Sequence, residues 1–259
     1  MSLLTIIKIA RHRHALSAIG NPVERRPLAW YADLLAAKTP FSFSRFGDGE
    51  WSAIFGARGA NCDGHEYFPK LGQDLRNALA RPLPYMYALQ PRALKTEGAQ
   101  IETFLRENAV RIRWHDSDVF HEANRTGRLY PLVKQLRGMK VVLVGPGYLW
   151  KPVDAEVFPV SHFIEMPPVN CYEKKDEILS AIVRHDDSSG HPDAVYAFSA
   201  SMTANVLIHE LYPRLGARSW LIDFGSLWDV YAGVKSRLYF NRGDWDKKKR
   251  QNLGTREVA

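Results

Sequence analysis

From residue 109 to residue 222 short apolar runs alternate with stretches of helical periodicity, and this alternation constrains the fold of the 259-residue chain more than any other feature. Residues 109–114, 140–144, 160–164, 194–198 and 219–222 read as strands, and residues 118–137, 174–184 and 203–211 as helices, the first of them one helix or two. Upstream, residues 41–46 and 85–89 read as strands; residues 1–20, 27–38, 49–55, 71–81 and 98–107 read as helices. Strands separated by helices predict an α/β, Rossmann-like fold, with a largely parallel sheet, helices on both faces and an N-terminal helical extension. Ligands of such sheets bind beyond the carboxyl ends of the strands. The loops that begin at Gly47, Gly145 and Ser199, with Asp223 and Gly225 as a fourth wall, are therefore expected to meet at one cleft.

The first of these loops carries the strongest chemical signal, Phe43-Ser44-Arg45-Phe46-Gly47-Asp48-Gly49-Glu50. Two carboxylates one glycine apart can converge on a hard cation, Mg²⁺ or Mn²⁺, whose other positions go to phosphate oxygens and water. Gly47 and Gly49 let the backbone approach a bulky anion, and Arg45 adds a positive charge suited to bidentate phosphate contacts. A second reading is equally open: a strand-to-helix turn in which Asp48 caps the helix, Glu50 points into water and Arg45 is a salt-bridge partner of either acid.

Other segments carry weaker signals. Gly145-Pro146-Gly147 follows a Val-rich strand but lacks both the dinucleotide fingerprint and the phosphate-loop lysine, so a plain tight turn is the simpler reading; Lys151 lies within reach of any anion held there. Ser199, Ser201 and Thr203 open a helix whose first N–H groups can hold an anion, or are simply capped by Ser201 or its neighbour. His115-Asp116-Ser117-Asp118 with His121 has the composition of a metal cluster, yet Asp116 or Asp118 serves equally as a helix cap; both acids are kept as candidates for a general base facing an acceptor. Trp51, Tyr67, Tyr148 and Trp150 are candidates for stacking on sugar, against core burial as the default. No Ser, His and Asp set has the spacing of a hydrolytic triad.

Hydrophobic residues make up 46% and charged residues 24% of the chain, an ordinary globular balance. The formal charge of +7 favours anionic partners, such as a nucleoside diphosphate or an anionic lipid surface. Its densest run, Lys247-Lys248-Lys249-Arg250, reads as a solvated tail with a weak electrostatic membrane contact as the alternative. Cys62 and Cys171 stand alone and suit a reducing cytoplasm. Residues 1–20 lack the order of a signal peptide; they read as a basic amphipathic helix resting on the core or on a membrane, which makes peripheral attachment at the inner face of a membrane the expected variant of a cytoplasmic location.

The segment Ser44-Arg45-Phe46-Gly47-Asp48-Gly49-Glu50-Trp51 resembles the N-terminal signature of the GT-D glycosyltransferases, bacterial nucleotide-sugar-dependent enzymes first grouped as a domain of unknown function. Residues 197–207, followed by Trp220-Leu221-Ile222-Asp223-Phe224-Gly225, resemble that family's closing strand-helix-strand, with Ala200-Ser201 where the family commonly has glycine-proline. The resemblance spans most of residues 40–232. It implies a catalytic domain over 40–235, flanked by the helical extension over 1–39 and a basic tail over 236–259. It further implies Asp48 and Glu50 as ligands of Mn²⁺ or Mg²⁺, with Arg45, Gly47, Gly49, Gly145, Ser199, Ser201, Thr203, Asp223 and Gly225 around a nucleoside-diphosphate sugar, a UDP-sugar being the expected donor. The acceptor would be a glycan, a glycopeptide or a lipid-linked sugar. The carboxylate pair alone also fits a Mg²⁺-dependent nucleotide phosphohydrolase. The basic charge alone fits a non-catalytic nucleic-acid-binding protein, although no nucleic-acid module is present and no specific nucleic acid is expected.

Overall fold

The computed structural model describes residues 3–191, 193–236, 240 and 244–255. Among these residues eight strands form one sheet, all paired in parallel: β1 (Val23–Glu24), β2 (Ser42–Phe46), β3 (Met86–Leu89), β4 (Trp114–Asp116), β5 (Val141–Pro146), β6 (His162–Met166), β7 (Val195–Phe198) and β8 (Trp220–Asp223). Their order across the sheet is β1-β4-β3-β2-β8-β7-β5-β6. The α/β, Rossmann-like architecture expected from the alternation is the one observed.

Both faces of the sheet are apolar, as a parallel sheet requires. Val141 and Leu143 of β5 point to one face and Val142 and Val144 to the other, following the period of two. On the first face lie α2 (Leu28–Ala36), α6 (Val119–Arg125), α7 (Tyr130–Leu136) and α8 (Trp150–Glu156), through Tyr31, Phe120, Val133 and Val153. The second face carries α1 (Leu3–Ala18), α3 (Asp48–Ile54), α4 (Pro69–Ala80), α5 (Pro91–Glu107), α9 (Lys175–Ser188) and α10 (Thr203–Leu215). The chain leaves β2 through α3 and α4 toward β3 on the second face, and leaves β5 through α8 toward β6 on the first. Connections that depart in opposite directions on opposite faces open a crevice at the carboxyl ends between them, where β8 and β7 lie.

Three segments depart from the sequence expectation. Residues 109–114 were expected to form a strand, but only Trp114 belongs to β4. Asn21 pairs with the preceding stretch instead, donating from Nδ2 to the Val110 carbonyl (2.9 Å) and accepting from the Ile112 N–H (3.0 Å), so one side chain satisfies groups that a neighbouring strand would otherwise take. Within the N-terminal extension, Val23–Glu24 adds the edge strand β1 beside β4. The basic run 247–250 is not a solvated tail. It lies in α11 (Trp245–Leu253), which Asp244 caps by accepting from the Lys247 N–H (2.9 Å) and which docks beneath α6 and α7. Asn252 there is fully buried; it accepts from the Leu129 N–H (2.9 Å) and donates to Asn124 Oδ1 (2.7 Å). The parts of the expected tail at 237–239, 241–243 and 256–259 lie outside the described residues.

Candidate functional site

The carboxyl ends of β2, β3, β4, β7 and β8 open into one cleft of about 1890 Å³. Arg45, Gly47, Asp48, Gly49, Glu50, Asp116, Asp118, Ser199, Ser201, Asp223 and Gly225 all line it, although more than 140 residues separate the first group from the last. Two expected members do not. Gly145 is buried inside β5, where a Cβ would stand 3.2 Å from Leu149 and 3.3 Å from Ser199, so it serves close packing and its neighbour Pro146 reaches the cleft. Thr203 is also buried, and its hydroxyl accepts from the Cys171 thiol (3.3 Å). Lys151 is exposed away from the cleft lining.

At the end of β2 the chain turns directly into α3 with Gly47 in the N-cap position. Glu50 reaches back over this turn, and its Oε2 accepts from the Gly47 N–H at 2.7 Å. A Cβ on Gly47 would lie 3.1 Å from both Glu50 Oε2 and Gln90 Oε1, which accounts for glycine there. Neither part of the simple capping reading holds. Asp48 is exposed at the cleft rim, 3.6 Å from Arg92 Nε, and Glu50, partly buried, bonds back to Gly47 and faces Asp223 within the cleft. The buried Asp223 carboxylate ends β8 and accepts from the Gly225 N–H (2.9 Å).

Burial, and secondarily the charge of Asp223, raise the pKa of Glu50 to about 7; burial raises that of Asp223 to about 6. The cation that opposes both shifts is Arg45. Its Nε donates to the Ser117 carbonyl (3.3 Å), and its guanidinium rests on Gly225, whose φ of +52° and missing Cβ leave that space free. Arg45 also faces Asp118, whose pKa burial raises and Arg45 lowers. The salt-bridge reading of Arg45 is thus met in a different form, with one guanidinium facing Asp223, Asp118 and Glu50 rather than pairing with Asp48.

Asp116 and Asp118 part company. Asp116 Oδ2 accepts from Arg13 (3.0 Å) and lies 3.2 Å from Arg25, while its Oδ1 accepts from the Asp118 N–H (3.1 Å), so Asp116 ties α1 to the end of β4 and supplies the turn-side contact at α6. Asp118 occupies the N-cap position of α6 without a side-chain cap bond and turns its carboxyl toward Gln90 and Arg45. His115 accepts or donates at Nδ1 to Tyr31 Oη (2.9 Å) in the core, which removes it from any metal cluster.

The β7–α10 loop differs from the expected cap. Met202 holds the N-cap position, and the Thr203 and Ala204 N–H groups donate to the Ala200 and Ser201 carbonyls, both at 3.1 Å, leaving fewer free amides for an anion. Ser201, at φ +46°, accepts from Asn61 Nδ2 (3.1 Å), which fastens the 57–67 loop over the cleft. Ser199 is buried and lines the cleft, and its hydroxyl, itself without accessible surface, has no hydrogen-bond partner. Of the aromatic candidates, Tyr67 and Tyr148 line the cleft, Trp51 is fully buried and Trp150 stacks on Phe163.

Gln90, Asn61, Asp229 and the cleft arginines Arg25, Arg92 and Arg128 were not singled out by sequence. Gln90 stands directly after β3 and had that positional signal; Asp229, whose Oδ1 accepts from Tyr148 Oη at 3.1 Å, had none.

Glu50, Asp223 and Asp48 are oxygen donors of the kind a hard divalent cation takes, and the repulsion between Glu50 and Asp223 would be relieved by a shared positive charge, but the ligand atoms of the three do not all lie within 4.8 Å of one another. Among the described residues, the one group of three His, Cys, Asp or Glu side chains with ligand atoms within 4.8 Å is elsewhere: Asp186, Asp187 and His191, at the end of α9. There Arg218 and Arg214 already bond the two carboxylates, and the group reads as an ion-pair cluster.

No family model matches the chain, and neither does any curated protein. Two solved structures share its fold. One is the selenomethionine-substituted structure of domain of unknown function 1792, with a TM-score of 0.59 and 16% identity over 88% of this chain and 84% of that one. The other, with a TM-score of 0.57 at the same identity and coverage, is described as showing that this highly conserved domain has a distinct glycosyltransferase fold. The chain therefore has the fold of domain of unknown function 1792, the glycosyltransferase fold that its resemblance to the GT-D enzymes implied.

Proposed function

We propose that this protein is a metal-dependent glycosyltransferase that moves a sugar from a nucleoside diphosphate, a UDP-sugar in the first instance, to a hydroxyl of a glycan, glycopeptide or lipid-linked acceptor. The observation that carries the reading is the facing pair of Glu50 and Asp223 beneath Arg45, at the floor of a cleft in a glycosyltransferase fold.

Glu50 and Asp48, with Asp223 beside them, would hold Mn²⁺ or Mg²⁺. When bound, such a cation neutralises charge that grows on a departing diphosphate. Arg45 adds a fixed charge at the same point, and Ser199 lines the wall beside the donor. Ser201, Gly47, Gly49 and Gly225 shape the wall around the donor; Gly145 and Thr203 support it from behind. Asp118 is the base we assign. Its carboxyl is half-buried with a raised pKa, which suits a group that takes a proton from an acceptor hydroxyl as the new glycosidic bond forms and the bond from the anomeric carbon to the diphosphate breaks. Asp116 positions this turn from its ion pairs with Arg13 and Arg25.

A phosphohydrolase would use the same carboxylates. The cleft volume favours transfer, since about 1890 Å³ exceeds the roughly 300–1,000 Å³ of a single small-ligand pocket and leaves room for a second substrate. Among the described residues no helix is long and apolar enough to cross a membrane. A cytoplasmic location, with any membrane contact peripheral, is part of the proposal.

The test is nucleotide release from a panel of UDP-sugars with Mn²⁺, with and without glycan and lipid-linked acceptors. Release that accelerates with an acceptor and yields a glycosylated product supports transfer. Release of phosphate or nucleotide at one rate in every case supports hydrolysis.

A further inference from the structure

The first two turns of α1 are built inside out. At about 100° per residue, Thr5, Ile9, His12 and Leu16 fall on the arc that meets the body, and Ile9, His12 and Leu16 are buried there. The opposite arc of these turns holds Leu3, Leu4, Ile6 and Ile7, which are 71%, 79%, 47% and 55% exposed. Four large aliphatic side chains on the water side of one short stretch are an exposed patch that calls for a partner. No carboxylate interrupts residues 3–18, and Lys8, Arg11 and His14 are exposed on the same helix.

The position of this tip relative to the cleft follows from its neighbour. His12, in the middle of α1, bonds Glu102 in the middle of α5 at 2.5 Å, and Asn21, just past α1, bonds the Val110 carbonyl just past α5. The two helices therefore run side by side in the same direction. The exposed turns lie beside the start of α5, where Pro91 and Arg92 line the cleft. Arg13 spans the remaining gap by its bond to Asp116 at the cleft edge (3.0 Å). Apolar tip, basic flank and cleft mouth share one end of the molecule.

We propose that the tip of α1 is a docking element for an anionic bilayer: Leu3, Leu4, Ile6 and Ile7 enter the headgroup boundary, Lys8 and Arg11 meet lipid phosphates, and the cleft mouth is held at the lipid surface. Apolar side chains next to lysine and arginine on one helix are the composition of an interfacial helix, and the acid-free charge of α1 complements an anionic leaflet rather than a neutral one. Docking of this kind selects, among the acceptors of the transferase reading, those carried on lipid; that corollary rests on the proposed function, whereas the docking itself does not.

The experiment is co-sedimentation of the full chain with vesicles of phosphatidylcholine alone or mixed with phosphatidylglycerol, alongside sedimentation velocity without lipid. The wild-type chain should bind the anionic vesicles at least tenfold more tightly than the neutral ones, and less tightly as salt rises. Ile6→Asp combined with Ile7→Asp should lower that affinity at least tenfold with unchanged Tm and unchanged Mn²⁺-nucleotide binding. Lys8→Ala with Arg11→Ala should abolish the preference for phosphatidylglycerol. Equal vesicle binding by the wild type and the aspartate pair, or no vesicle binding by the wild type, overturns the proposal. So does a concentration-dependent dimer that the aspartate pair dissolves, which would show that a second copy covers the tip. Loss of nucleotide binding in the wild type, with vesicle binding intact, would instead remove the transferase reading and leave the docking standing.

Discussion

Glu50, in the first turn of the helix that follows β2, and Asp223, at the end of the neighbouring strand β8, are 173 residues apart in the chain (223 − 50), and the Asp223 charge helps to raise the Glu50 pKa to about 7. The two carboxylates oppose each other, and the Arg45 guanidinium offsets only part of that repulsion and of the cost of burial.

The pH dependence of stability follows from these values. Both groups bind their proton more tightly in the folded chain than at the reference values of 4.5 and 3.8, so their contribution favours folding at low pH and is lost as pH rises through about 6 for Asp223 and about 7 for Glu50. Glu50→Gln should remove the part of this loss between pH 4.5 and 7. At pH 8 without divalent metal it should stabilise the protein by about 1–2 kcal/mol, a rise of a few degrees in Tm. Thermal melts of both proteins across pH 4 to 8 in EDTA, at about one-unit steps, would show it; parallel curves would contradict it.

The cleft is held to the sheet by a buried polar contact. Ser44 donates to Asn205 Oδ1, and Asn205 Nδ2 donates to the Arg45 carbonyl (2.8 Å), which fixes the start of α10 against β2 directly behind the Asp48 loop. Asn205→Ala leaves both groups without this partner and should cost about 2–3 kcal/mol in urea denaturation. A loss below about 0.5 kcal/mol would show that the contact is unimportant to the fold.

Gly225 carries two demands at once, a φ of +52° and the space that the Arg45 guanidinium fills. Gly225→Ala should therefore destabilise by about 1 kcal/mol or more and displace Arg45. Nucleotide affinity should fall together with stability. Calorimetric titration of the folded variant tests the second part, and unaltered affinity would mean that Arg45 does not contact the donor.

The C-terminal helix makes a fourth prediction about stability. No described residue from 244 to 255 lines the cleft, yet Asn252 is bonded to Leu129 and Asn124 beneath it. Asn252→Ala should cost about 2–3 kcal/mol and leave the affinity for nucleotide unchanged. A chain cut after Asp246 should lose stability and, for that reason alone, turnover near its melting temperature. A truncated chain with wild-type Tm would show that α11 does not brace α7.

The alternation of strands and helices was legible because buried parallel strands must be apolar runs and their crossovers must have helical period. Residues 141–146 and 195–198 declared themselves in this way. Short elements did not. Val23–Glu24 is too brief to show a period, and the helix Trp245–Leu253 is polar and basic over most of its length, with its anchoring carried by the amide of Asn252. The lining of the cleft was legible in its members more than in its arrangement. Asp48 and Glu50 look alike in sequence, but the turn at Gly47 sends one to the rim and the other to the floor. The pairing of Glu50 with Asp223 depends on β2 lying next to β8, which is a matter of strand order that no local pattern encodes. Gly145 and Thr203 were drawn in by their neighbours, and packing shows that Pro146 and Ser199 are the surfaces the cleft presents.

If the carboxylates of this cleft hold a nucleoside diphosphate through a divalent cation, calorimetric titration of UDP into the protein with Mn²⁺ or with EDTA will show it. The wild-type chain should bind UDP with Mn²⁺ and lose that binding in EDTA. Affinity should rise with pH through about 7 as Glu50 releases its proton to solvent and its carboxylate becomes free to take the cation. Asp48→Asn and Glu50→Gln should each weaken metal-dependent binding at least tenfold, roughly 1.4 kcal/mol or more, while both variants stay folded. UDP affinity that is the same in Mn²⁺ and EDTA, and the same in both folded variants, would contradict the account.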